Sequence, residues 1–176
     1  MLPVITDNFL EQSVFEDMQN IFMRGDLPWW YRDFTVDHPE EGDYDFQFVH
    51  MLYLPENFYQ TSDELFDKIC KPVIEKISPM SIYRIKANLT TRAPENMGSD
   101  FHIDIDNLKN DPEKLKQWTT AIFYINTNNG YTEFEDGTRV ESVANRIVNF
   151  PANLKHRGTR CTDQKIRIVI NFNYFK

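Results

Sequence analysis

Residues 167–174 read Arg167-Ile-Val-Ile-Asn-Phe-Asn-Tyr174. Ile168, Ile170, Phe172 and Tyr174 occupy the even positions, and Arg167, Val169, Asn171 and Asn173 the odd ones. Successive side chains of a strand point to opposite faces, so this alternation predicts a half-buried strand. Its odd face is polar without the Lys/Glu mixture of an ordinary surface. Arg and two Asn in register suggest the lining of a polar cavity. The plainer reading is the solvated outer face of an antiparallel sheet.

Working outward, Ser81-Ile-Tyr-Arg-Ile-Lys-Ala-Asn-Leu-Thr90 repeats the pattern, with Tyr83, Ile85, Ala87 and Leu89 on one face and Arg84, Lys86 and Asn88 on the other. Two strands with apolar backs and cationic fronts fit a barrel or sandwich with a wet mouth suited to an anionic co-substrate. Trp118-Thr-Thr-Ala-Ile-Phe-Tyr-Ile-Asn126 is almost continuous in strand formers. Its Tyr124, read alone, is a core or interface tyrosine. Further strands are expected over 46–54 and 146–150, and Glu135-Asp-Gly-Thr138 marks a hairpin. A helix is expected over 8–23, capped by Asp7, and another over 62–78, opened by a capping box Thr61-Ser-Asp-Glu64 and kinked or restarted at Pro72. Helices first and strands after indicate an α+β, mainly β, fold.

The chain has four histidines. His102 and Asp104 alternate with Phe101, Ile103 and Ile105, and on an extended strand residues i and i+2 share a face. Alone, this pair is equally well an ordinary strand end. Joined by His156, it gives two imidazoles and one carboxylate, which suits a non-haem Fe(II) ion with open positions. Arg167 follows on the next strand as a carboxylate-sized fork. His38-Pro-Glu40 offers a competing pair, but it lies in an acidic, turn-rich stretch and reads as a solvated loop. Asp104 to Leu115 resembles a calcium loop only briefly, since Lys109 and Leu115 stand where Gly and Glu are needed.

The order His102, Asp104, His156, Arg167 resembles the Fe(II)/2-oxoglutarate-dependent dioxygenases, nearest to the prolyl-4-hydroxylase-like branch and its small bacteriophage-encoded members. Phe150-Pro-Ala-Asn-Leu-Lys-His156 looks like the loop delivering the distal histidine, and Asn129-Gly-Tyr-Thr-Glu-Phe134 like the short strand after Ile122-Phe-Tyr-Ile-Asn126. The resemblance covers about 80–176. It implies a double-stranded β-helix, a cupin-like jelly roll, braced by N-terminal helices. It implies Fe(II) on His102, Asp104 and His156, with 2-oxoglutarate and O2 as co-substrates and ascorbate as a candidate reductant. Arg167 and the Tyr124 hydroxyl would hold the 5-carboxylate of 2-oxoglutarate. Lys165 shares a face with Arg167 and is a rival anchor, but guanidinium binds carboxylate bidentately. Asn171, Asn173, Arg84, Lys86 and Asn88 would line the cavity. The reaction would be hydroxylation of a C–H bond with decarboxylation of 2-oxoglutarate to succinate, peptidyl proline being the first candidate substrate. The same chemistry on a free amino acid or other small molecule stays open, as does a non-catalytic metal-binding jelly roll. The loop Thr90 to Asp100 is longer than in close prolyl hydroxylases.

At 176 residues one domain is expected over 1–176, with 1–79 as helical support plus first strands and 80–176 as the catalytic core. Two cysteines, Cys70 and Cys161, fit a reducing compartment without a disulfide framework. The opening Met1-Leu-Pro-Val-Ile-Thr-Asp lacks signal-peptide features, and no apolar run is long enough to span a membrane. A cytoplasmic location follows, in the host cell if the chain is phage-encoded. The net charge of −8 argues against nucleic-acid backbone as a partner. A peptide or small-molecule substrate is expected, with the oligomeric state open. The acidic segment 33–45, with Asp37, Glu40, Glu41 and Asp43, reads as a surface loop able to border an extended basic substrate.

Overall fold

The computed structural model describes residues 3–25, 27–35, 45–55 and 61–176. In chain order these form β1 (Val4–Thr6), α1 (Gln12–Met23), β2 (Trp30–Arg32), β3 (Gln47–Tyr53), α2 (Asp63–Ile69), α3 (Lys71–Ile77) and β4 (Ser81–Thr91). After a 3-10 turn at Asp106–Leu108 come α4 (Pro112–Leu115), β5 (Trp118–Tyr124), β6 (Tyr131–Phe134), β7 (Arg139–Glu141), β8 (Arg146–Pro151), β9 (His156–Gly158) and β10 (Ile166–Phe175). The decoy His38-Pro-Glu40 and the acids Asp37, Glu40, Glu41 and Asp43 lie outside the described residues.

β10 is the centre of the molecule. It pairs antiparallel with β4 on one side and β5 on the other, within a seven-stranded sheet ordered β1-β8-β5-β10-β4-β3-β2. A second sheet has the order β7-β6-β9. The period-two pattern of β10 resolves into two environments. Ile168, Ile170, Phe172 and Tyr174 join Ile85, Ala87 and Phe123 in the main core, covered by Phe15, Met18 and Phe22 of α1 and by Ile69 and Val73. Val169 belongs to the other side, with Ile122, Tyr124, Val148 and Phe150 of the large sheet packed against Phe134 and Val140 of the small one. Each side of the sheet thus removes apolar area from water, which is the main source of stability here.

The turns follow local chemistry. Phe134 N donates to Thr138 O and Gly137 N to Phe134 O, with Gly137 at φ +85°. This is a type I turn closed by a left-handed glycine, the usual three-residue hairpin. Pro72 stands in the first turn of α3 and so restarts the helical run, as its fixed φ and missing N–H allow.

Four local expectations are corrected. α1 starts at Gln12 rather than at 8, and Asp7 does not cap it. Asp7 instead forms a two-pronged ion pair with Arg146, which ties the N-terminal strand to β8. The cap of α2 is Ser62, accepting from Leu65 N, one residue later than the Thr61–Glu64 box; Glu64 pairs with Lys68. A register shift opposite Asn173–Tyr174 turns Tyr83 out of the main core and edge-on to Trp118 at 6.1 Å. Residues 101–105 are not a regular strand; only His102 is bridged, to His156. Cys70 and Cys161 are both buried free thiols. No described helix is long and apolar enough to cross a membrane.

Candidate metal and anion site

The odd face of β10, the even face of β4 and one edge of the small sheet enclose a cavity of about 70 Å³. His102, Asp104 and His156 converge at its mouth, with candidate ligand atoms all within 4.8 Å of one another. Reciprocal backbone bonds of 3.0 Å between His102 and His156 fix the two histidine backbones side by side. The i, i+2 spacing then returns Asp104 to the same point. Asp104 Oδ1 lies 4.0 Å from His102 Nε2, and Oδ2 lies 3.8 Å from His156 Nε2.

Both imidazoles are pre-set in one tautomer. His102 Nδ1 is 3.0 Å from Asp100 O, and His156 Nδ1 is 3.2 Å from Leu154 O. A carbonyl can only accept, so each Nδ1 carries a proton, and each Nε2 is the ring nitrogen turned toward Asp104. Such outer hydrogen bonds orient metal-ligating histidines. His156 is buried, with Phe150 edge-on at 4.8 Å. Burial pulls its pKa down to about 4, against the attraction of Asp104. It is therefore neutral near pH 7, the form that binds a metal.

Asp104 is also held from behind. Asn173 Nδ2 donates to Oδ2 at 3.0 Å, Asn171 Nδ2 lies within 3.4–3.5 Å of both oxygens, and Arg84 donates to the Asp104 carbonyl at 3.0 Å. Burial alone would raise the Asp104 pKa, but His156, Arg84, His102 and Lys86 outweigh it and hold the carboxyl well below its usual range. Two nitrogens and one oxygen on a single face, within 4.8 Å of one another, can hold a divalent transition metal and leave positions open.

Deeper in, Arg167 is 5% exposed. Its Nε donates to Ser142 Oγ at 2.9 Å and one terminal nitrogen to Thr132 Oγ1 at 3.3 Å. Among the described residues no carboxylate lies within ion-pair distance of it. Burial pulls its pKa down from the usual arginine value, opposed only by Tyr124 and Cys161. An arginine nevertheless stays charged, and buried charges are ordinarily paired. Two glycines make room for it: a Cβ on Gly130 would lie 2.8 Å from Arg167 Cδ, and one on Gly158 3.3 Å from a terminal nitrogen. Lys165, the rival anchor, is exposed.

Tyr124 is wholly buried, and its hydroxyl donates to Thr132 Oγ1 at 2.8 Å. Thr132 thus accepts from both Tyr124 and Arg167 and itself lines the cavity. Lys86, Asn88 and Asn171 line the same cavity, while Arg84 faces the adjoining outer groove and Asn173 is sealed behind Asp104. Among the described residues four buried side-chain oxygens have no hydrogen-bond partner, and three of them, Asn171 Oδ1, Thr35 Oγ1 and Thr90 Oγ1, belong to residues lining this cavity. Buried polar atoms need partners, so the cavity is built for a polar occupant.

Sequence reasoning missed Thr132 and Ser142, whose importance lies in their contact with Arg167. It also missed Arg160, which lines the cavity and is buried against Asp45, 115 positions away, with Nε–Oδ1 at 2.6 Å. No local pattern marks these residues.

No family model matches the chain, and no curated protein matches it. Solved structures do. A prolyl hydroxylase from Trichoplax adhaerens, in complex with a hypoxia inducible factor oxygen degradation domain peptide fragment, superposes with a TM-score of 0.66 at 14% identity, over 98% of this chain and 83% of that one. A viral collagen prolyl hydroxylase from Paramecium Bursaria Chlorella virus-1, in a 2-oxoglutarate complex, gives 0.59 at 15% over 100% and 97%. The non-haem α-ketoglutarate-dependent epimerase SnoN from nogalamycin biosynthesis gives 0.62 at 12% over 99% and 76%. The likeness is one of fold: the chain has the double-stranded β-helix shared by the 2-oxoglutarate-Fe(II) oxygenases, prolyl hydroxylases among them.

Proposed function

We propose that this protein is an Fe(II)- and 2-oxoglutarate-dependent oxygenase that hydroxylates a C–H bond. The observation that carries the reading is Arg167. A buried guanidinium without a carboxylate partner among the described residues stands in one cavity with a His–Asp–His triad whose imidazoles are already oriented for a metal. A jelly-roll module without catalysis explains the triad but not the buried cation beside it.

His102, Asp104 and His156 hold the metal. Arg167 takes the 5-carboxylate of 2-oxoglutarate, and Thr132 stands beside it with its hydroxyl oxygen already accepting from Tyr124 and Arg167. That leaves the Thr132 proton free to donate to the carboxylate. Tyr124 then acts through Thr132, one layer behind the position the sequence resemblance implies. When bound, the metal and 2-oxoglutarate supply the oxidising chemistry, with succinate and carbon dioxide as products. The protein contributes position, charge and exclusion of water. Asn171, Asn173 and Arg84 fix the Asp104 carboxylate. Lys86 and Asn88 add polar surface to the cavity wall. The chain works as one catalytic domain, since β1 to β3 complete the sheet built by 80–176 and α1 to α3 cover its core.

The reading is tested by incubating the purified protein with Fe(II), 2-oxoglutarate and air. Succinate should form and should stop on chelation of the metal. Product masses from proline-containing peptides and from free amino acids then assign the substrate. Absence of succinate from a folded, iron-loaded protein would overturn the assignment.

Gly130→Ala is expected to weaken 2-oxoglutarate binding and to leave the metal ligands in place. The new methyl meets Arg167 Cδ at 2.8 Å, Asn128 Oδ1 at 2.9 Å and the Thr159 carbonyl at 3.2 Å, so Arg167 must shift. Overpacking of this kind costs about 1–3 kcal/mol of stability, and displacement of the guanidinium should raise the apparent KM, about tenfold for each 1.4 kcal/mol that falls on binding. Metal affinity should be unchanged. An unaltered KM would show that the guanidinium does not set co-substrate binding.

A further inference from the structure

We propose that the groove outside the metal triad is a subsite for an anionic group of the substrate, a carboxylate or a phosphate; this rests on the oxygenase reading of the inner cavity. The groove encloses about 400 Å³ and opens directly onto the triad, since His102, Asp104 and Lys86 line both spaces. Five cations line it: Arg32, Arg84, Lys86, Lys109 and Lys155. Among the described residues two carboxylates face them, Asp104 and Asp106. In a chain of net charge −8 this concentration is against the trend of the molecule.

The cations come from separate places in the sequence. Arg32 ends β2, Arg84 and Lys86 lie on β4, Lys109 follows the 3-10 turn, and Lys155 precedes β9. Folding brings them together around one opening, and like charges gathered in a cleft focus a field that attracts the opposite charge. Two of them have partners that leave them available. Lys109 pairs with Asp106 at 3.5 Å and Lys155 with Glu135 at 3.1 Å, with all four side chains about half exposed. Exposed pairs of this kind are weak and exchange readily for a ligand. The committed acid is Asp104, buried against Arg84 and belonging to the metal site. Once Asp104 is engaged by a divalent cation, the groove is left more positive still. Between the cations the wall is apolar, with Val49, Met51 and Ile103. The favoured occupant is therefore an acid on a short carbon frame. The acidic segment 33–45, read from the sequence as a border for a basic partner, lies largely outside the described residues.

The test uses the protein loaded with Zn(II) and 2-oxoglutarate, which does not turn over, followed by amide nitrogen–proton spectra. Adding 2-oxoglutarate first should shift the amides of Gly130, Thr132 and Gly158; if it does not, the oxygenase reading fails, and the groove is still read on the zinc protein. Propionate, inorganic phosphate and methylguanidinium are then titrated separately. Saturable shifts at Arg32, Phe101, Lys109 and Lys155 with at least one anion are expected, and the tighter anion identifies the group. The triple variant Arg32→Gln, Lys109→Gln, Lys155→Gln should bind that anion about tenfold more weakly. No saturable shift with either anion, or a stronger response to methylguanidinium, overturns the proposal.

Discussion

Replacing His156 by alanine is expected to abolish metal retention and, with it, all succinate formation. The effect should be complete because the triad has no spare ligand: among the described residues His102, Asp104 and His156 form the cluster of metal-binding side chains. His156 is also a packing residue, buried at 2% exposure between Phe134 and Phe150, so its removal should lower stability as well. His102→Ala separates the two effects. The His102 side chain is 28% exposed, so this variant should lose metal while melting close to the parent temperature. Iron content of the purified variants, read beside a thermal melt, checks both points. Succinate formation at the parental rate by either variant would end the assignment.

Arg167→Ala is expected to raise the apparent KM for 2-oxoglutarate by about a hundredfold or more. Removing one partner of a buried charge pair costs about 3–5 kcal/mol, and each 1.4 kcal/mol is a factor of ten. Here the pair exists only with co-substrate bound, so the loss should fall on binding. Metal content should not change. Arg167→Lys should recover only part of the affinity, because an ammonium lacks the planar fork that meets a carboxylate through two bonds and cannot reproduce the Ser142 and Thr132 contacts together. Lys165→Ala should leave the KM near the parental value, since Lys165 is exposed. Initial rates against 2-oxoglutarate concentration decide the matter. A larger effect at Lys165 than at Arg167 would reverse the assignment of the anchor.

The sequence by itself determined the sheet and its two sides. Hydrophobic burial acts on a strand with period two, so the alternation in 167–174 placed Ile168 and Ile170 against the helices and Arg167 and Asn171 on the opposite face. The same logic located β4, β5, β8 and the hairpin at Gly137, each specified by residues adjacent in the chain. The helix starts were misplaced because capping depends on which polar groups remain uncommitted: Asp7 is claimed by Arg146, 139 positions away. Tyr83 escaped its predicted face because a bulge shifts the register by one, and nothing local to Tyr83 encodes what lies opposite Asn173.

His102, Asp104, His156 and Arg167 were legible because their order and spacing along the chain carry a pattern. Their environment was not. That each imidazole turns Nε2 inward depends on a carbonyl at Asp100 and another at Leu154. That Tyr124 reaches Thr132, that Ser142 and Gly130 shape the seat of Arg167, and that five cations from four segments ring one groove are consequences of chain crossings. Electrostatic and hydrogen-bonding partners are chosen by distance in space, over a few ångströms. Periodicity reports only which side of an element faces inward, and only the tertiary structure decided what each inward side chain would meet.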